Sequence, residues 1–441
     1  MNTIHEAAAA VQARQVTPVD LVEQCLAQVE AWEHHVHAWV FIDRDYARQE
    51  ARRLTEEIER GQYRGPLHGI PIGVKDIIDV YDWPTAAGSK LWAKSIARHD
   101  AEIIQSLRSA GAIFLGKTVT TQFASFDPPV TRNPWNLERT PGGSSSGSAA
   151  AVATGMCLAA LGSQTGGSII RPAAFCGVCG FKPAYGVLPL DGIVPLAHSM
   201  DHPGPIARCV RDLALVYQAM TPPEALGSGW FPRLNAVGTA EGFTPRLARL
   251  VDHFELNAEP AMRSAMDQVC DRLELHRANI PPVHLPARFA DVIPRHRIVM
   301  AVEAAVYHQP RFERHPDDYQ PNIRKLIEEG LACPAAEYAR TKEHQQRLRE
   351  DMLELMADDV IYLCPATAGP APAADTTGDP VFNSPWSYVG LPTINIPMGE
   401  SAEGMPLCLQ LVGSIWNEDL LFQAAAWCEE ALGVGVLTPK L

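Results

Sequence analysis

Two glycine- and serine-rich turns carry the residue types in this chain best suited to chemistry. They are Pro141-Gly142-Gly143-Ser144-Ser145-Ser146-Gly147-Ser148 and Gly162-Ser163-Gln164-Thr165-Gly166-Gly167-Ser168-Ile169-Ile170-Arg171-Pro172. Glycine permits backbone torsions closed to other residues and lets the main chain approach a ligand closely. Consecutive N–H groups in such a turn can converge on an oxyanion. A serine closing the turn stands where a nucleophile is needed. One such loop alone reads as an inert Gly/Ser connection. Two of them, bracketing an Ala-rich helix and a short strand and followed by Arg171 and Pro172, make a far more specific pattern.

The elements that must position these turns are legible in outline. Thr17-Pro18-Val19-Asp20 supplies a hydroxyl cap, a proline at the first helical position and an acid in the first turn. Leu21, Val22, Cys25, Leu26 and Val29 then recur at helical spacing. A charge-rich helix is predicted from Asp45 to Arg60, stopping at Gly61, and another from Ala101 to Ala110. Gly69 to Asp76 reads as a short buried strand ending on charged residues, and Ala112 to Leu115 as a second strand. Helix and short apolar strand alternate to about residue 220, which argues for an α/β layer fold. From 225 to 355 the pattern turns to polar and amphipathic helices, including Glu337 to Met356, with proline joints such as Ile280-Pro281-Pro282. The expectation there is a helical insertion over a continuous core. Val360 to Cys364 and Thr393 to Ile396 look like strands returning to the same sheet.

The 441 residues are 46% hydrophobic and 20% charged, which suits a large core and excludes disorder. Net charge is −14, and no basic run offers a surface to nucleic acid. The start lacks the basic and apolar regions of a signal peptide, and no stretch approaches the ~18 apolar residues of a membrane span. Ten cysteines scattered over so long a chain point to a reduced, cytoplasmic protein. Cys176-Gly177-Val178-Cys179 lacks a second pair at zinc-ribbon distance, and His198 and His202 lack the H-E-x-x-H context, so no metal is expected. His34, His35 and His37 read as a solvated helix end. Gly111-Ala112-Ile113-Phe114-Leu115-Gly116-Lys117-Thr118 matches a phosphate-loop pattern by letter. Its apolar middle favours a buried strand, leaving a nucleotide binder as a minor rival.

These residues resemble the amidase signature family. Its glycine–serine signature is recognisable from Gly142 through Pro172, and its lysine segment from Gly65 through Asp76. Its C-terminal pattern appears as Gly390 to Pro397 and Gly404 to Gly413. The resemblance covers nearly the whole chain and is weakest from 225 to 355. It implies an α/β/α sandwich around a large mixed, twisted sheet, with helical excursions over the cleft. It also implies a single domain over 1–441: an N-terminal helical segment (1–64), a catalytic core (65–220), substrate-region helices (225–355) and a return to the sheet (356–441). By that resemblance Ser168 is the nucleophile, Ser144 the bridging serine at a cis peptide, and Lys75 the base. The N–H groups of Thr165, Gly166, Gly167 and Ser168 would form the oxyanion hole. The implied activity is hydrolysis of an acyl C–N bond in a small amide or carbamate, with no cofactor and room for a homodimer. A lysine serves as base when burial lowers its pKa, and Lys75, ending an apolar strand, is placed for that.

Departures from the family pattern are informative. Ser163-Gln164 stands where many members have Thr-Asp, and Ser146 replaces a common glycine. Arg171 lies three residues after Ser168, as in the malonamidase-type branch. There it either meets a substrate carboxylate or pairs with an internal acid to brace the loop, and Gly143 is a further substrate-contact candidate. Asp201, in Ser199-Met200-Asp201-His202-Pro203, is expected to brace the core near Lys75. Besides a carbamate hydrolase, the resemblance allows the transferase component that amidates mischarged tRNA. The acidic balance and Gln164 weigh against that reading.

Overall fold

The computed structural model describes residues 2–221, 242–357, 359–415 and 417–440. Its strands in chain order are β1 (Trp39–Ile42), β2 (Pro71–Lys75), β3 (Ile113–Thr118), β4 (Ala159–Gln164), β5 (Cys179–Lys182), β6 (His202–Ala207), β7 (Arg246–Leu250), β8 (Pro282–Val283), β9 (Val360–Pro365), β10 (Thr393–Glu400) and β11 (Pro406–Val412). They form one 11-stranded mixed sheet in the order β1-β3-β2-β4-β6-β5-β10-β11-β9-β7-β8. This is the large mixed α/β architecture that the resemblance implied.

The β1-to-β6 half of the sheet sets up the site. β2 is buried along its whole length and pairs in parallel with β3 on one side and β4 on the other. A strand enclosed in this way needs an unbroken apolar run, which Pro71-Ile72-Gly73-Val74 supplies. Val74 is in register with Leu161, so the carboxyl ends of β2 and β4 deliver Lys75 and Ser163 side by side. Ligands of open α/β sheets gather at such carboxyl ends.

Local signals were realised closely. The helix Pro18–Val36 begins with a capping box: Thr17 Oγ1 accepts from Asp20 N–H at 3.1 Å, and Asp20 accepts from Thr17 N–H at 2.9 Å. The helices Arg44–Glu59, Glu102–Ser109 and Ala335–Leu355 fall within a residue or two of their expected bounds. The letter-match to a phosphate loop is β3, buried at every position. A side chain at Gly116 would start 2.0 Å from Phe41 O, so its glycine serves close packing with β1. Lys117 pairs with Asp76 at 3.0 Å inside the core. Cys176 and Cys179 are buried free thiols.

The middle of the chain corrects one expectation. It is not a purely helical insertion, because β7 and β8 carry the sheet two strands beyond β9. Arg246-Leu247-Ala248-Arg249-Leu250 sets two arginines three apart and holds no apolar run longer than two residues. Pro282 is tolerated because β8 is the terminal strand, where a missing N–H costs no ladder bond. Part of this region, 222–241, lies outside the described residues.

The N-terminal helix Ile4–Gln12 is fastened to the core by one carboxylate. Asp212 accepts from Ile4 N–H at 2.7 Å, from His5 N–H at 3.0 Å and from His5 Nδ1 at 2.8 Å. Cys209 completes a trio whose potential metal-ligating atoms lie within 4.8 Å of one another. Asp212→Ala leaves buried N–H groups unpaired and is expected to cost roughly 2–3 kcal/mol. Urea denaturation reads this as a lower midpoint, and an unchanged midpoint contradicts the fastening role.

Candidate active site

Lys75 ends β2 and is wholly buried. Its Nζ lies 2.7 Å from Ser144 Oγ, 2.8 Å from Ser163 Oγ and 3.3 Å from Ser163 O. Burial drives its pKa well below the usual lysine range, against the opposing field of Asp201. A neutral amine has two N–H donors and one lone pair. Three contacts are therefore satisfied when Nζ donates to the carbonyl and hydroxyl of Ser163 and the Ser144 hydroxyl donates to the lone pair. In that state Lys75 is a base aimed at Ser144.

The two serine turns are tied to each other and to the loop at Thr121. Ser145 N–H donates to Ser168 O at 3.3 Å, and Ser144 O accepts from Thr121 N–H at 3.3 Å. Ser145 Oγ donates to Ser163 O and accepts from Ser163 N–H, each at 3.3 Å. Ser148 Oγ donates to Leu161 O at 2.8 Å, holding the helix Ser146–Ala153 against β4. The Gly143–Ser144 peptide is cis. Ser144 is 0% exposed and Ser168 7%, so Ser168 is the more open of the two residues.

The turn leading to Ser168 is anchored at each residue. Gln164 Oε1 accepts from the N–H groups of Ile169 and Ile170, both at 3.1 Å, at the start of the helix Ile170–Phe175. The missing carboxylate at this position is thus replaced by a neutral cap. Thr165 Oγ1 donates to Asp201, which also accepts from Leu196 N–H at 2.9 Å and Ala197 N–H at 3.2 Å. Asp201 therefore braces the turn itself. Among the described residues, the N–H groups of Thr165, Gly166, Gly167 and Ser168 donate to no other protein group. Four adjacent free donors in one turn can take up developing negative charge.

Arg171 is 1% exposed and donates from Nη2 to Gly143 O at 2.8 Å. Its bracing contact is thus a backbone carbonyl and not the internal acid that the sequence suggests. Gly143 is wedged between threonines: a side chain there would start 2.8 Å from Thr377 and 3.2 Å from Thr121. Among the described residues, Arg171 Nε and Nη1 and Asn383 Oδ1 are buried without a protein partner. Nη1 and Oδ1 both lie 2.9 Å from where a Gly167 side chain would begin. Desolvation lowers the guanidinium to about 10, which still leaves it charged at neutral pH.

Lys75, Ser144, Ser168, the 165–168 turn, Gly143 and Arg171 therefore form one cluster. The sequence marks Ser163 only as a retained hydroxyl, and its contact with Lys75 follows from the parallel β2–β4 register. His202, His296 and Ser384 also touch the turn, and the sequence does not mark any of them for that contact, because each is made across the fold.

Comparison with known proteins shows the family and the fold. Residues 20–422 match the model of the Amidase family. A glutamyl-tRNA(Gln) amidotransferase subunit from Anaeromyxobacter sp. (strain K) is 33% identical over 486 aligned positions, covering 98% of this chain and 96% of that protein. A structure from a vestigial protein complex, solved in work on the evolutionary origins of an s-triazine catabolic enzyme, superposes with a TM-score of 0.91 at 31% identity and covers 100% of both chains. Peptide amidase from Stenotrophomonas maltophilia superposes at 0.86 with 27% identity, covering 99% of this chain and 98% of its own. With the family model matching most of its length, the chain belongs to the amidase-signature family of hydrolases.

Proposed function

We propose that this protein hydrolyses the acyl C–N bond of a small amide or carbamate through an acyl-enzyme on Ser168. The observation that carries the reading is the wholly buried Lys75 with Nζ 2.7 Å from Ser144 Oγ, beside the more open Ser168. Neutral Lys75 takes the Ser144 proton while Ser144 takes that of Ser168. Ser168 Oγ bonds to the substrate carbonyl carbon, and the oxyanion rests on the free N–H groups of the 165–168 turn. The C–N bond then breaks, with the relayed proton passing to the departing nitrogen. Water repeats the sequence on the ester, releasing the acid and restoring Ser168. Carbamates share the carbonyl and the amine leaving group, so the same residues serve either class.

A panel of hexanamide, malonamate, 4-nitroacetanilide and ethyl carbamate tests this reading. Turnover of at least one member without ATP or a partner protein supports it. Similarity to the amidotransferase relatives favours a second reading, the transferase component of a tRNA-dependent amidotransferase. Amide turnover that requires ATP and partner proteins would establish that one instead.

The unpartnered Nε and Nη1 of Arg171 favour recognition of a carboxylate on the acyl group, in addition to its hold on Gly143. Arg171→Ala is expected to lower kcat/KM on malonamate at least ~10-fold more than on hexanamide, a charge-assisted bond being worth about 1.5–3 kcal/mol. An equal loss on both substrates would leave Arg171 with the bracing role alone.

A further inference from the structure

The peptide units of the 164–168 turn share one feature. In a trans peptide the C=O and the N–H point in opposite directions, so whatever fixes a carbonyl also fixes the aim of the N–H in the same unit. All four carbonyls behind the four free N–H groups are held. His202 Nδ1 lies 3.2 Å from Gln164 O, behind Thr165 N–H. His296 Nε2 lies 2.8 Å from Thr165 O, behind Gly166 N–H. Ser384 Oγ donates to Gly166 O at 2.9 Å, behind Gly167 N–H. Arg171 N–H donates to Gly167 O at 2.9 Å, behind Ser168 N–H. Carbonyls only accept, so the donating tautomers are Nδ1–H for His202 and Nε2–H for His296.

The last of these bonds is the ordinary start of a helix. The two central ones are tertiary contacts: His296 lies in the helix Val292–Phe312, and Ser384 opens the helix Ser384–Val389. Both side chains press on Gly166, where a methyl would stand 3.2 Å from Ser384 Oγ and 3.3 Å from His296 Cε1. Burial keeps His296 neutral, with its pKa lowered to about 4, so one fixed N–H is available across the neutral range.

We propose that His296 and Ser384 are positioning residues that aim the N–H groups of Gly166 and Gly167 at the reacting carbonyl oxygen. The inference rests on the Ser168 reading above. It places part of the catalytic competence in the middle of the chain, where family resemblance is weakest. Neither side chain touches substrate in this scheme. Each acts by gripping the far side of a peptide unit, and each carbonyl bond also polarises that unit and strengthens its N–H as a donor.

The test compares His296→Leu, His296→Gln and Ser384→Ala. Glutamine places an amide N–H close to where Nε2–H stands, so it can restore the bond that leucine removes. Two readouts serve: kcat and KM on the fastest amide of the panel, and the rate at which a fluorophosphonate probe labels Ser168, which needs no natural substrate. His296→Leu and Ser384→Ala are each expected to lower kcat and the labelling rate ~10–100-fold, somewhat less than removal of an oxyanion donor itself. KM should stay within about twofold, and His296→Gln should recover most of the loss. Wild-type labelling by a folded His296→Leu variant would overturn the inference. So would a glutamine variant as impaired as leucine, with KM raised in both, which would make His296 a part of the pocket wall. Ser168→Ala separates the two levels: loss of labelling there with wild-type labelling in His296→Leu sinks only the positioning role, whereas labelling retained in Ser168→Ala sinks the nucleophile assignment first.

Discussion

Ser168→Ala is expected to lower kcat/KM on any amide or carbamate substrate by at least ~10,000-fold while leaving the fold intact. The magnitude follows from the role, because nucleophile removal in a serine hydrolase eliminates the covalent route and leaves only binding and the oxyanion site. Ser168 suits this test. It is the more open of the two serines, and the turn around it is held by the Gln164 cap, the Thr165–Asp201 bond and the Ser145–Ser168 main-chain bond. None of these involves its side chain. The alanine variant should therefore unfold at the wild-type urea midpoint. Activity within tenfold of wild type would require another nucleophile.

The second large effect is expected at Lys75. Lys75→Met keeps the length and apolar character of the side chain but removes the base, and should lower kcat by ~100–10,000-fold. On the proposed mechanism activity requires the neutral amine, so it should fall as pH drops through the lowered pKa of Lys75 and level off above it. The methionine variant should lose that acid limb along with its activity. Stability should move the other way. In the unfolded chain the lysine binds its proton up to about pH 10.4, whereas the folded site has given it up well below that. Lys75 therefore costs the native state stability at every pH below its unfolded value, and that cost is complete below its folded one. At pH 7 Lys75→Met is expected to resist urea at least as well as wild type. A variant that is both inactive and markedly less stable would make Lys75 a structural residue.

How much of this was written in the sequence depends on the range of the interaction. The Thr17–Asp20 capping box, the buried run of β2 and the two glycine–serine turns rest on neighbours within a few residues, and the pattern locates them closely. Lys75 and the serines are identified together by family resemblance. Their contact depends on a parallel register between strands nearly ninety positions apart, as the Lys75–Ser163 pair shows. The same register hides Ser163, which looks like a bystander in the signature. His296 carries no signal, since a histidine on an amphipathic helix has no local reason to face a turn 131 positions earlier. Arg171 falls in the expected cluster but against a different brace, because a backbone carbonyl leaves no mark of charge in the sequence. β7 and β8 are hidden because two arginines in a five-residue strand and a proline in a two-residue edge strand both mimic a loop.

If the acyl group passes through Ser168, as proposed, the intermediate can be trapped there. The protein is mixed with 4-nitrophenyl hexanoate, an activated ester whose acylation outruns its hydrolysis. The reaction is quenched in acid within its first turnover, digested and mapped by mass spectrometry. The expected result is a hexanoyl group on the peptide containing Ser168, present in wild type and absent from Ser168→Ala. Stoichiometric acylation of Ser144, or of a cysteine, with Ser168 unmodified would contradict the account.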